Sequence, residues 1–217
     1  RIFEIGNAFI PKSLPLTEYP DERETLCVGI FGEEESFYKL KGFAKIVADC
    51  FDLKFTYEAA TKPFLHPYQT AEIFCNDEKI GYLGKVSYEI MDDLDMRVPS
   101  FVMELDLSLL SKYYANEQKF IPLPKFAIEK RDFAFVVDKD VSCAAIENGI
   151  KEACKYVTDV KLFDVYEGLK LGLNKRSMAF SVVFTPQNEE FNDEKIEGYV
   201  KKILKNLEAK LGVTLRG

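Results

Sequence analysis

The chain offers few residues in patterns that could do covalent chemistry. His66 is its only histidine, and Pro67 follows it. No serine, cysteine or acid stands at a recognisable motif distance from it, so the spacing favours a structural place in a turn over nucleophilic or acid–base catalysis. Glu33, Glu34 and Glu35 put three carboxylates in a row. No alternating acidic loop with a central glycine accompanies them, and consecutive acids on a loop read as a solvated face. The five cysteines are Cys27, Cys50, Cys75, Cys143 and Cys154. No C-x-x-C pair occurs and the count is odd, so buried, reduced thiols in a cytoplasmic protein are expected. Zinc would need clustered ligands that these residues do not supply. Neither a phosphate-binding P-loop nor a G-x-G-x-x-G turn is present.

At 217 residues the chain suits two ordinary domains. No apolar run approaches the ~20 residues of a membrane span. The sequence opens at Arg1, in mid-pattern at Arg1-Ile2-Phe3-Glu4-Ile5-Gly6, and reads as a piece of a longer protein. A boundary is expected at 121/122, in the stretch from Asn116 to Pro124, where two prolines follow a helix-like segment from Ser108 to Tyr114. Residues 1–121 hold 13 Lys and Arg against 21 Asp and Glu, a net of −8, which argues against nucleic-acid binding there. Residues 122–217 hold 16 against 15, a net of +1.

Residues 1–121 read as a mixed α/β unit with an antiparallel sheet. Strands are expected at Arg1 to Ile10, Thr25 to Phe31 (buried), Lys54 to Ala60 and Ser100 to Leu105. A hairpin is expected between Ala71 to Cys75 and Gly81 to Val86, turning at Asn76-Asp77-Glu78. Between them, Leu40, Phe43, Ala44, Val47 and Phe51 keep helical spacing.

Residues 122–217 read as a β-α-β-β-α-β unit with both helices on one face, the ferredoxin-like arrangement. Its strands are Arg131 to Asp138, Val160 to Gly168, Lys175 to Thr185 and Val213 to Arg216. Its helices are N-capped by Ser142 and by Asn192 or Asp193, and Gly212 ends the second. Alternation then sorts the faces. Phe133, Phe135, Val137, Phe163, Val165, Met178, Phe180, Val182 and Phe184 are expected under the helices. Asp132, Ala134, Val136, Asp164, Tyr166, Ser177, Ala179 and Ser181 are expected on the open face. One exposed tyrosine on a platform of small residues suits base stacking. It equally suits packing on a neighbouring domain.

Arg131-Asp132, the run from Leu162 to Gly168 (LFDVYEG), Lys175-Arg176-Ser177-Met178-Ala179 and the closing Gly212-Val213-Thr214-Leu215-Arg216 resemble the C-terminal anticodon-binding domain of the bacterial phenylalanyl-tRNA synthetase β subunit. Phe3-Glu4-Ile5-Gly6, Leu40-Lys41-Gly42, Leu65-His66-Pro67, Ile80-Gly81-Tyr82-Leu83-Gly84 and the run from Phe101 to Leu107 resemble the catalytically silent class II synthetase-like segment before it. Two loops depart from that pattern: Tyr68 stands where glycine is usual, and Val86-Ser87-Tyr88 where His-Pro is common.

The resemblance implies an α+β chain, with a non-catalytic class II-like segment at 1–121 and an anticodon-binding domain at 122–217. It implies RNA contacts at Tyr166, Asp164, Ser177 and Ala134. Lys170, Lys175 and Arg176 would touch phosphates, and Arg131 could touch RNA or pair with Asp132 or Asp164. It implies no catalytic residue, metal or cofactor in this chain, with ATP and Mg²⁺ used by the whole enzyme. Its implied partners are phenylalanine tRNA and an α subunit in an (αβ)2 heterotetramer. Upstream editing and tRNA-binding domains would complete the β chain. The rival readings are an interaction module that keeps the fold without binding RNA, and a small-molecule enzyme using His66.

Overall fold

A computed structural model describes residues 1–114, 123–168, 171–187 and 190–216. The chain divides into two compact units, Arg1–Lys119 and Phe120–Gly217. The predicted boundary at 121/122 falls outside the described residues.

In the first unit, strands β1 (Ile2–Ile10), β2 (Asp21–Phe31), β3 (Phe55–Ala59), β4 (Leu65–Cys75), β5 (Glu78–Val86) and β6 (Ser100–Asp106) form one sheet. Their order is β1-β2-β6-β5-β4-β3, and every pairing is antiparallel. Helices α1 (Phe37–Cys50), α2 (Tyr88–Asp93) and α3 (Leu107–Tyr113) connect them. Ser36 starts α1 because its hydroxyl accepts from the Lys39 amide at 3.2 Å. Leu40, Ala44 and Ala48 then lie one turn apart and are all buried. Leu40 and Ala44 join Ile30, Ile73, Leu83, Met103, Leu105 and Leu110 in a core on one side of the sheet.

The β4–β5 turn is tighter than its composition suggested. Asn76 and Asp77 both take left-handed backbone angles (φ 49° and 65°), and Glu78 already belongs to β5. Two such residues match the twist of a hairpin. The sequence pattern gave no sign of α2, whose six residues are too few to show a period.

Two expectations are corrected here. The strand expected as buried from Thr25 to Phe31 starts at Asp21 and alternates, with Leu26 and Ile30 buried and Phe31 exposed. All five cysteines are free thiols, but Cys27 and Cys50 are exposed. Cys27 alternates away from the core between Leu26 and Val28, and Cys50 sits in the last turn of α1.

In the second unit, strands β7 (Glu129–Asp138), β8 (Val157–Tyr166), β9 (Lys175–Phe184) and β10 (Thr214–Leu215) lie in the order β10-β7-β9-β8. Helices α4 (Cys143–Ala153) and α5 (Asp193–Leu211) pack on one face. The caps are those the sequence suggested. The Ser142 hydroxyl accepts from the Ala145 amide at 3.1 Å, and the Asn192 side chain accepts from the Lys195 amide at 2.9 Å. Gly212 closes α5 at φ 62°, a left-handed conformation that glycine adopts without a Cβ penalty. Phe135, Phe180, Phe184, Ile146, Ile150, Ile203 and Leu207 fill the core between sheet and helices.

Candidate nucleic-acid interface

The central strand of the second sheet sets the open face. Phe180, Val182 and Phe184 of β9 are fully buried against the helices, so Ser177, Ala179 and Ser181 point the other way. Register carries that side across the sheet. Val136, Ser177 and Tyr166 form one row, and Ala134, Ala179 and Asp164 the next. Asp132, Ser181 and Lys161 form the third. The central strand is a floor of small side chains that Ala134 extends onto β7, with the longer Tyr166, Asp164 and Lys161 along β8.

A bulge in β8 decides which residues reach this face. Leu162 pairs with Phe180 and Asp164 with Ala179, so Phe163 is an extra residue. Val160 is buried and Leu162 packs against the core. The bulge switches the alternation, because two residues on one strand then oppose a single partner. Asp164 and Tyr166 face out, as the sequence suggested. Phe163 does not face in: it is 55% exposed, which corrects its expected core position. The count across the bulge leaves it on the side of Asp164, as a second aromatic at this edge. Val165 returns to the helix side opposite Met178 but stays 46% exposed at the sheet end.

Tyr166 is 44% exposed and closely framed. The Arg216 guanidinium lies over its ring, 5.3 Å from the centroid. Arg216 is itself anchored by its amide, which donates to the Ala134 carbonyl at 2.7 Å. Gly168 makes room for the ring: a Cβ there would stand 2.5–3.0 Å from the Tyr166 Oη, Cζ and Cε1 atoms. Arg216 closes one of the runs that carry the resemblance but was not among the expected contacts. It follows a two-residue strand, and no periodicity announces its reach across the sheet.

The other predicted contacts sort by face. Ala134 is half-buried in the floor. Ser177 has an open-face register but is only 3% exposed, so neighbouring side chains cover it. Lys175 pairs with Asp138 at 2.9 Å, and Lys139 with Glu167 at 2.7 Å, so both cations are locally neutralised. The Lys139 hydrogen bond and charge hold the Glu167 carboxyl below the usual carboxylate range. Lys170 lies outside the described residues.

Arg131 and Arg176 belong to the opposite, helix-covered face. Their register partners are the core residues Val182 and Val137. Arg131 bonds Glu129 at 2.8 Å and approaches Asp193 at 3.9 Å, and neither Asp132 nor Asp164 is its partner. Arg176 donates to the Val141 carbonyl at 2.8 Å. Alternation explains both placements: Arg131 lies two residues before Phe133, and Arg176 two before Met178.

The first sheet also has an uncovered face, of another character. One cross-strand row runs Glu4, Cys27, Glu104, Tyr82, Glu72, Glu58. The Tyr82 hydroxyl donates to Glu104 at 2.9 Å, and burial together with that bond pushes the phenol well above its ordinary range. Lys62 lies over the Tyr82 ring, and Lys79 pairs with Glu72. His66 is held in the irregular start of β4, where its Nδ1 accepts from the Tyr68 amide at 3.2 Å. Its ring meets Tyr88 edge-on at 5.5 Å. Glu35 pairs with Arg1 at 2.8 Å. Among the described residues no group of three or more His, Cys, Asp or Glu side chains could hold a metal ion. No described helix is long and apolar enough to cross a membrane.

Comparison with known proteins gives the same division. Residues 1–107 match the family model for the phenylalanyl tRNA synthetase beta chain CLM domain, and residues 124–216 match that for the ferredoxin-fold anticodon binding domain. The phenylalanine–tRNA ligase beta subunit of Clostridium tetani is 35% identical over 219 residues. Those of Halalkalibacterium halodurans and Clostridium acetobutylicum are 32% and 31% identical. Each alignment covers 100% of this chain and 27%, 28% and 27% of the respective relative. The chain thus spans about a quarter of the length of the curated relatives it matches. It belongs to the phenylalanyl-tRNA synthetase β-subunit family, of which it carries the CLM and ferredoxin-fold anticodon-binding domains.

Proposed function

We propose that this chain is the tRNA-binding and subunit-assembling part of a phenylalanyl-tRNA synthetase β chain, and that its second unit reads the anticodon stem-loop of phenylalanine tRNA. The observation that carries the reading is the exposed Tyr166 ring beside Asp164, over the small-residue floor of β9. A stacked base gains ~1–3 kcal/mol on an aromatic ring, whatever its identity. Asp164 adds discrimination, because a carboxylate accepts only from donor-bearing base edges. Arg216 provides a cation within reach of the same ring, for a phosphate or for the far face of the stacked base. Phe163 widens the apolar edge.

Ligation of phenylalanine to tRNA, with ATP and Mg²⁺, falls in this reading to the α subunit of a cytoplasmic (αβ)2 assembly. Its support is the row of four glutamates on the open face of the first sheet. A triphosphate would meet like charge there, and the row holds no arginine. The first unit then serves as scaffold and subunit interface.

The test is a titration of phenylalanine tRNA against the assembled enzyme carrying Tyr166→Ala or Tyr166→Phe. The alanine variant is expected to weaken binding by about tenfold or more, with phenylalanine restoring most of it, because stacking needs the ring and not the hydroxyl. Equal affinity of parent and Tyr166→Ala would leave the face to a protein partner instead.

A further inference from the structure

Beyond Tyr166 and Asp164 the open face continues to a row that the reading above leaves without a role. Asp132, Ser181 and Lys161 lie side by side on β7, β9 and β8. Ser181 is four residues from Ser177 along β9, about 13 Å at the usual rise of a strand. That exceeds the ~3.4 Å step between stacked nucleotides, so the row would meet a different part of a bound strand from the base on Tyr166.

Two independent features mark this row. Ser181 is 7% exposed, and its Oγ is buried with no hydrogen-bond partner among the described residues. A buried hydroxyl left unpaired forfeits the bonds it had in water, so native structures rarely keep one without a use. Asp132 and Lys161, on either side of it, are exposed and have no ion-pair or hydrogen-bond partner among the described residues. The cations at the Tyr166 end differ: Lys175 and Lys139 are both tied to carboxylates. Among the described residues an unpaired cation, an unpaired anion and a buried orphan hydroxyl thus stand in one line on the open face.

We propose that Lys161, Ser181 and Asp132 form a second nucleotide subsite on the open face, distinct from the Tyr166–Asp164 stack. Lys161 takes a backbone phosphate of the bound strand. Asp132, which a phosphate would repel, accepts from a ribose 2′-hydroxyl or an amino group on a base edge. Ser181 completes the site, because a hydroxyl both donates and accepts and so can pair with a ribose hydroxyl between the two charges. The proposal rests on the reading of this face as an RNA interface, and its test separates the two.

The assembled enzyme is prepared with Lys161→Met, Asp132→Asn, Ser181→Ala or Tyr166→Ala and titrated with phenylalanine tRNA at several salt concentrations. Lys161→Met is expected to lower the slope of log affinity against log salt by about one, the mark of one lost phosphate contact. Asp132→Asn and Ser181→Ala are each expected to weaken binding by roughly tenfold at fixed salt. Ser181→Ala should do so while melting no lower than the parent, since it removes an unpaired buried hydroxyl. That split distinguishes a ligand contact from a folding defect. If Tyr166→Ala weakens binding but the three subsite variants stay within about twofold of the parent with the parent's salt slope, the subsite is wrong and the interface stands. If Tyr166→Ala also leaves binding unchanged, both fall.

Discussion

The chain contains two antiparallel sheets, each covered by helices on one face and open on the other, and the two open faces oppose each other chemically. Across the first run Glu4, Cys27, Glu104, Tyr82, Glu72 and Glu58. Its tyrosine is tied to a glutamate, and its lysines are spent on Tyr82 and Glu72. The second has a floor of Ser177, Ala179 and Ser181, an accessible tyrosine under a guanidinium, and side chains left unpaired. Secondary structure alone does not make a sheet face a binding site. Among the described residues the second face has aromatic area beside an unpaired hydroxyl, whereas the first ties its tyrosine to a glutamate and presents a row of carboxylates that would repel phosphate.

The strongest way to break the comparison is to remove one face and ask whether the other survives. Gly81 of β5 lies against the backbone of β6, and a Cβ there would stand 2.0 Å from the Glu104 carbonyl oxygen. Backbone cannot yield as a side-chain end can. Gly81→Ala is therefore expected to destabilise the first unit by about 3 kcal/mol or more. The second unit has its own core and should keep its melting transition and its near-ultraviolet circular dichroism. Simultaneous loss of both would show that the two cores fold as one.

A subtler change acts on the second face alone. Gly168→Ala would place a methyl group 2.5 Å from the Tyr166 hydroxyl oxygen and 2.8 Å from its Cζ. A tyrosine ring can swing aside at little expense to the fold, so the melting temperature should scarcely change. Affinity for tRNA is expected to drop by about tenfold as the stacking platform is displaced. Undiminished affinity would mean that the ring position seen here is not the one that RNA meets.

The smallest effect belongs to the first unit at high pH. Burial pushes the Tyr57 phenol up to about 12, against about 10 for an unfolded tyrosine. Between those values the unfolded chain loses the proton and the folded chain keeps it, so stability falls as pH rises. It is unaffected below about pH 10, where both states are protonated. Denaturant titrations of the parent and Tyr57→Phe should therefore diverge above that pH, with the variant losing less. Parallel curves would show that Tyr57 is more solvated than its surroundings imply.

Much of this contrast was legible in the sequence, and the reasons are local. A strand that buries one face declares it by alternation, so β7 and β9 could be read residue by residue. Helix caps act through one side chain and one amide, so Ser142, Asn192 and Gly212 were visible without tertiary information. The bulge at Phe163 was not, because an extra residue is set by pairing with β9, which no single strand encodes. Two signals were present but unused. Arg131 and Arg176 alternate with core residues and so had to lie under the helices, although the resemblance implied a phosphate contact for Arg176 and left Arg131 open to RNA or to Asp132 or Asp164. Arg216 left no signal, because its contact joins the chain end to the far edge of the sheet.

The central claim is that the second face reads the anticodon, and coupling between a protein change and an RNA change tests it most directly. Affinities would be measured for phenylalanine tRNA and for the same tRNA with a substituted anticodon, each against the parent enzyme and Asp164→Ala. The account predicts that the parent prefers the native anticodon by about tenfold per lost base contact, and that Asp164→Ala erases most of this preference while still binding both RNAs. A preference that survives Asp164→Ala undiminished would contradict it and assign anticodon recognition to another surface.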